Sequence, residues 1–316
     1  MRPCFEPQFM KIGKFLIQAL LRLLSLLPLK VHYALGRVMA FLAEKVFRYR
    51  TSDVLINLAR SFPEKKYDEL REIKHRFYLQ LGDIIAETVW FGGCRNPERL
   101  HRKHLVELDP EGLRELNRLH ELAPSVVIMV SHAGNWELYG GVASYNYSDV
   151  PLPLTEQNFC IVYLKQKSKM WDEILRDNRF APLVDRKNFE GYLESRQLVR
   201  YVFTHRGEKK FFNINTDQHP YFNAPDFMKV KFMHQECTTM RAAADLARKF
   251  SFAVCFLSYT LESRGHWKLN YIPVCDNASE MSAEEIMNRY YRLLEADIEA
   301  QPWNYLWTHR RWKFKV

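Results

Sequence analysis

The run Val126-Val127-Ile128-Met129-Val130, preceded by Pro124 and followed by Ser131-His132-Ala133-Gly134-Asn135-Trp136-Glu137, constrains the fold more than any other stretch. Five uninterrupted apolar residues, most of them β-branched, suit a strand buried on both faces, as in a parallel sheet covered by helices. Gly134-Asn135 then reads as a tight turn and Trp136-Glu137 as a helix start. His132 falls at the carboxyl end of the strand, where open α/β sheets bind their ligands. Histidine is the side chain most often used as a general base. Glu137 is the candidate to accept the ring N–H, fix the tautomer and stabilise the imidazolium. The plainer alternative is a histidine that ends a strand and a glutamate that favours a helix N-terminus.

From residue 100 onward the pattern alternates. Strands are expected over 104–108, 126–130, 159–164, 211–215 and 252–261, with helices between most of them, which argues a mixed, largely parallel sheet flanked by helices. Residues 266–274 add a strand that can pair with its predecessor as a hairpin across 262–265. Residues 67–91 read as a long amphipathic helix ending at Gly92-Gly93, and 282–300 as a closing helix with Ser282 and Glu285 placed as a capping box. No linker-like tract interrupts the 316 residues, so 31–316 is read as a single α/β domain.

Residues 11–29 have a different character. Lys11, Lys14, Gln18, Arg22 and Ser25 recur at steps of three and four and form a polar stripe about 80° wide, the remainder being apolar or glycine. A spanning helix needs about 20 apolar residues, and Arg22 and Pro28 interrupt this one, so residues 1–30 read as a membrane-anchoring helix lying in the interface, wet only along its stripe. A second apolar-rich helix is expected over 31–47. The net charge of +9 favours anionic partners such as phospholipid, phosphorylated lipid or an acidic carrier. No zinc finger, aromatic-basic RNA motif or phosphate-binding glycine loop is visible, so no nucleic acid is expected as a partner. Cys4, Cys94, Cys160, Cys237, Cys255 and Cys275 are widely spaced without CxxC pairs, the usage of reduced thiols and not of a zinc site.

The stretch His132-Ala133-Gly134-Asn135-Trp136-Glu137 resembles the H-x-G-N-W-E signature of the late acyltransferases of lipid A biosynthesis, the lauroyl and myristoyl acyltransferases of the lysophospholipid acyltransferase superfamily. Other blocks resemble the family in the same order. Asn57-Leu58 with Phe62-Pro63-Glu64 looks like its N-L-x-x-x-F-P-E segment, Asp217-Gln218 like its D-Q turn, and Tyr305 to Lys313 like its Y-x-W-x-H-R-R-F-K ending.

The resemblance implies a glycerol-phosphate-acyltransferase-like fold and a membrane-associated O-acyltransferase on the cytoplasmic face of a bacterial inner membrane. An acyl thioester, of acyl carrier protein or of coenzyme A, would be the co-substrate, with no resident cofactor and no metal. The acceptor would be a hydroxyl of a lipid A precursor. A lysophospholipid or aminoacyl lipid as acceptor, and a non-catalytic membrane-surface binding protein on the same fold, remain alternatives. His132 and Glu137 would be catalytic, and backbone N–H groups near Gly134 and Asn135, or a basic side chain, would meet the oxyanion. Arg176, Arg179 and Arg186 fall where the family places arginines toward acceptor phosphate. The family's Tyr-Arg before them is replaced by Tyr163-Leu164-Lys165, and Lys165 offers a point charge in place of a guanidinium fork. Asp217 and Gln218 would orient the acceptor or steady a loop. For His309-Arg310-Arg311, flanking Trp307 and Trp312 suggest a docked segment more than a tail on anionic lipid.

Overall fold

A computed structural model describes residues 8–220 and 227–312. Cys4 and Lys313 therefore lie outside the described residues, as does the side chain of Lys11. In chain order the helices are α1 (Gln8–Ser25), α2 (Leu29–Phe41), α3 (Thr51–Ser61), α4 (Tyr67–Phe91), α5 (Pro97–Lys103), α6 (Pro110–Leu122), α7 (Lys169–Arg179), α8 (Leu198–Thr204), α9 (Ala242–Phe250) and α10 (Ala283–Ala300). The strands are β1 (Val106–Leu108), β2 (Val126–Val130), β3 (Phe159–Tyr163), β4 (Tyr192–Glu194), β5 (Phe211–Asn215), β6 (Phe227–Phe232), β7 (Gln235–Met240), β8 (Ala253–Ser263) and β9 (His266–Cys275).

Seven strands form one sheet in the order β1-β9-β8-β2-β5-β3-β4, and every pairing in it is parallel except β8 with β9. The β8–β9 exception is the expected hairpin, turning at Gly265, whose φ of 77° is left-handed. β2 is central and all five of its residues are buried. Val127 and Met129 enter one apolar layer with α9 and α10, whereas Val126, Ile128 and Val130 enter the other with α6. That division is the physical content of an uninterrupted apolar strand.

Some boundaries differ from expectation. His104 is not in β1 but caps α5 in the left-handed conformation, φ 52°. The second N-terminal helix is α2, which stops at Phe41 and passes into a π-helical turn over Leu42–Val46. The helix start at Trp136 is a 3₁₀ helix, Trp136–Ser144. β4 and the separate β6–β7 hairpin were not expected; β4 has only three residues, too few to show a period. Ser282 and Glu285 do form the capping box on α10.

The N-terminal helices invert the usual amphipathic arrangement. The polar stripe of α1, expected to face water, instead rests on α7: Lys14 pairs with Glu173, and Gln18 Nε2 donates to Asp177 at 3.0 Å. Apolar side chains point away from the protein, with Phe15, Leu16, Leu20, Leu23 and Leu26 all more than half exposed. On α2, Leu35, Val38 and Phe41 continue that exposed surface. Among the described residues no single helix is long and apolar enough to cross a membrane. The pair Ile12–Ser25 and Leu29–Val46 passes only when taken together, with a bend of 119°.

α2 is held on α4 by a crossing of two glycines. A Cβ built on Gly36 would come within 2.5 Å of the carbonyl oxygen of Gly82, and one on Gly82 would meet the carbonyl of Gly36. Alanine in a helix interior is otherwise favoured over glycine by about 1 kcal/mol. Here the contact is with backbone, which cannot rotate aside, so Gly36→Ala is expected to lower stability by about 1–3 kcal/mol. Urea denaturation measures it; an unchanged or raised midpoint would show that the two helices are free to separate.

Candidate active site

A cavity of about 340 Å³ opens at the carboxyl ends of β2, β3 and β5, with His132, Trp136, Glu137, Arg179, Asn213 and Gln218 among its lining residues. Parallel strands bring their carboxyl ends to one edge, so β2 delivers His132 and β5 delivers Asp217 to the same place. His132 Nδ1–H donates to Asp217 Oδ1 at 2.7 Å, and the backbone N–H of His132 donates to Oδ2 at 3.2 Å. One carboxylate thus holds both the ring and the chain that carries it. With Nδ1 protonated, Nε2 bears the lone pair, and the Gln218 amide N–H donates to it at 3.0 Å.

Asp217 is 1% exposed. Burial works against its charge, but the His132 ring, the His132 N–H and the charge of Arg311 outweigh it and hold the carboxyl below its usual range. Arg311 is itself fully buried behind the pair, donating to the Thr238 carbonyl at 2.7 Å and to Tyr291 Oη at 2.9 Å.

Glu137 is not the partner of His132. Its two carboxylate oxygens take a bidentate pair of hydrogen bonds from Arg179 Nε and Nη2, both 2.7 Å, and a third from Trp136 Nε1 at 3.1 Å. The reason is local geometry: the 3₁₀ turn carries Glu137 past the Trp136 ring, which stands edge-on to His132 at 4.8 Å between centroids. Burial disfavours the Arg179 cation, yet Glu137 over-compensates and pushes its pKa up. Arg179 is therefore a cavity wall already neutralised by Glu137, not a free phosphate contact.

The other expected substrate-binding residues separate into two groups. Gln218 lines the cavity and Asp217 stands behind His132. Gly134 does not offer its N–H to the cavity: the group donates to the Asn304 carbonyl and to Asn304 Oδ1, at 3.1 and 3.2 Å. Its φ of 72° and the Tyr259 ring, 2.6 Å from where a Cβ would stand, explain the glycine. Asn135 is fully buried and donates to Glu87 Oε2 at 2.9 Å. Lys165 is exposed, and the cavity wall is formed by its neighbours Leu164 and Gln166. Arg186 is outside the cavity, its guanidinium donating to the carbonyls of Ala181 and Leu183. Arg176 is half exposed, 3.9 Å from Asp177. Among the described residues one metal-capable group, His104, Glu107 and His266, gathers outside the cavity walls.

Sequence reasoning missed the supports beneath the site. Glu87 on α4 is 1% exposed and receives Asn135, Tyr33 and Trp267, all within 2.9 Å. The segment after α10 lies against the histidine turn: Leu306 N–H donates to the His132 carbonyl at 3.1 Å, and Asn57 Nδ2 donates to the carbonyls of Trp307 and His309 at 2.9 and 3.1 Å. Burial lowers the His309 imidazole to about 4. The Trp-x-x-x-x-Trp spacing around His309 carried the signal for docking, whereas nothing local to Glu87 revealed its three distant donors.

A buried histidine–carboxylate pair at the rim of a cavity is an arrangement that can hold and pass a proton. The family model described as bacterial lipid A biosynthesis acyltransferase matches residues 3–314, and the chain belongs to that family. Compared with curated proteins one by one, it matches none.

Desolvation raises Glu87 to about 7 despite its three donors, and raises Asp297 to about 6. A carboxyl raised in the folded state binds more protons folded than unfolded between the two values, so its contribution to stability is present at low pH and lost as pH rises. Stability is expected to fall from about pH 4.5 to pH 7 through these two groups. Glu87→Gln should flatten that decline, leaving the Asp297 share. Chemical denaturation at a series of pH values measures it, and an undiminished slope in the variant would contradict the assignment.

Proposed function

We propose that this chain is a membrane-surface O-acyltransferase that moves a fatty acyl chain from the thioester of acyl carrier protein to a hydroxyl of a lipid A precursor, at the cytoplasmic face of a bacterial inner membrane. The observation that carries the chemistry is the 2.7 Å bond from His132 Nδ1 to Asp217, which leaves Nε2 as a base facing the cavity. The acceptor hydroxyl replaces the Gln218 amide at Nε2. His132 takes its proton as the oxygen attacks the thioester carbonyl, Asp217 stabilises the imidazolium, and the proton then passes to the departing thiolate as the tetrahedral intermediate collapses. Gln218, displaced from Nε2, offers its amide to the oxyanion, since the Gly134 N–H is engaged elsewhere. Glu137 and Arg179 line the same cavity as a mutually neutralising pair. The family and the net positive charge support a carrier protein as donor and a lipid A precursor as acceptor.

His132→Ala is expected to lower transfer by about 10²–10⁴-fold. Asp217→Asn should lower it by a comparable factor, because it removes the acceptor that sets the tautomer, and Glu137→Gln should cost less than either. Initial rates with acyl carrier protein thioester and a tetra-acylated lipid A precursor test this order. Glu137→Gln costing more than Asp217→Asn, in variants with unchanged melting transitions, would return the partner role to Glu137.

Membrane attachment is supported by the outward apolar face of α1 and α2. Replacing Leu16, Leu20 and Leu23 by serine removes about 1.5–3 kcal/mol of burial per side chain if that face enters lipid. Co-sedimentation with anionic vesicles should drop sharply in this triple variant; full retention would place the contact elsewhere.

A further inference from the structure

Asn213 puts a polar side chain in the middle of an apolar sheet. It lies on β5 in register with Ile128 of β2 and Ile161 of β3. It is only 4% exposed. Its Nδ2–H donates to the Cys160 carbonyl at 3.0 Å, and its Oδ1 is buried without a hydrogen-bond partner. Leaving a buried acceptor unpaired costs about 1–3 kcal/mol, a cost that a packed apolar side chain would avoid. Asn213 also lines the cavity, beside Val130, Tyr139, Gly140 and Ile161. The unpaired acceptor belongs to a residue of the cavity wall whose in-register neighbours on both adjoining strands, Ile128 and Ile161, are apolar.

Depth identifies what can reach it. Asn215 is level with Val130, the last residue of β2 before the histidine turn, and Asn213 is two residues further in. At about 3.3 Å per residue that is about 7 Å below the rim. The thioester carbonyl must stay at the rim, within reach of His132, so the group at Asn213 lies on the acyl side of that carbonyl. A plain hydrocarbon chain there would bury Oδ1 dry and unpaired.

We propose that Asn213 is a specificity-determining residue that accepts a hydrogen bond from a hydroxyl carried by the transferred acyl chain. This rests on the acyltransferase reading of the cavity. A site built to bond a hydroxyl discriminates strongly against the analogue that lacks it, because its own polar group is then left unpaired. The other substrate donor of the same chemistry, an amide N–H of the carrier's pantetheine arm, would have to enter on the wrong side of the carbonyl.

The test is competition. The full-length protein is given a mixture of dodecanoyl thioesters of acyl carrier protein, plain and hydroxylated at successive carbons, with a lipid A precursor as acceptor, and products are counted by mass. The wild type should consume one hydroxylated chain about tenfold or more faster than the plain one. Asn213→Leu, and Asn213→Ala as a second variant, should abolish that preference. The ratio within one mixture does not depend on how much of a variant is folded. Equal use of plain and hydroxylated chains by the wild type, or a preference that survives both substitutions, overturns the proposal. So does a loss in Asn213→Leu that is equal for all chains on the carrier but absent when the plain chain is presented on a short thiol without amides, which would assign Oδ1 to the pantetheine arm. A wild type that transfers no chain of either kind would instead refute the acyltransferase reading itself.

Discussion

The Asp217 carboxylate is a buried anion at the junction of two strands, and much of the molecule is arranged to make it tolerable. Taking a carboxylate out of water costs several kcal/mol unless charge and hydrogen bonds compensate. Compensation comes from the His132 ring and N–H on one side and from the Arg311 charge on the other. Arg311 is in turn a buried cation, and it is held by Thr238 within β7 and Tyr291 on α10. The strand pair β2–β5, the β6–β7 hairpin and the last described residues of the chain are thereby tied to a single bond. Removing Arg311 would leave the Asp217 charge to His132 alone.

A second scaffold fixes the turn that carries the histidine. The chain from Asn304 to Leu306 receives the Gly134 N–H and gives its own N–H to the His132 carbonyl. Asn57 on α3 then holds the carbonyls of Trp307 and His309, Arg50 holds that of Thr308 at 2.8 Å, and Phe62 packs edge-on to Trp307. The blocks around residues 57–64 and 305–312 lie far apart in the chain, and their common purpose is to brace one turn. Asn135 and Glu87 brace it from the α4 side.

The N-terminal helices follow a different physical rule. A helix on a soluble protein turns its apolar stripe inward. α1 turns its polar residues inward, to Glu173 and Asp177, and leaves its leucines uncovered. An ion pair and an amide hydrogen bond tie it to α7, and its hydrophobic surface is left exposed. The Gly36–Gly82 crossing packs α2 closely on α4 without drawing that surface into the core.

The apolar run of β2 and the alternation after it determined the fold class, because burial on both faces admits few architectures. The chain also determined that His132 would stand at a sheet edge, that α4 would run from Tyr67 to Phe91, and that Ser282 would cap α10, since each depends on neighbours within a few residues. The partner of His132 was beyond such reasoning. Glu137 is five positions away and Asp217 eighty-five, and the parallel pairing of β2 with β5 alone brings the distant carboxylate to Nδ1 while the 3₁₀ turn sends the near one to Arg179. The direction of the α1 stripe was undecidable for the same reason: period shows that a helix has two faces, but the acidic side chains of α7, more than 150 residues later, choose which one meets the protein. Local interactions are written in spacing along the chain, whereas the charges that neutralise buried ions are chosen by which strands and helices become neighbours.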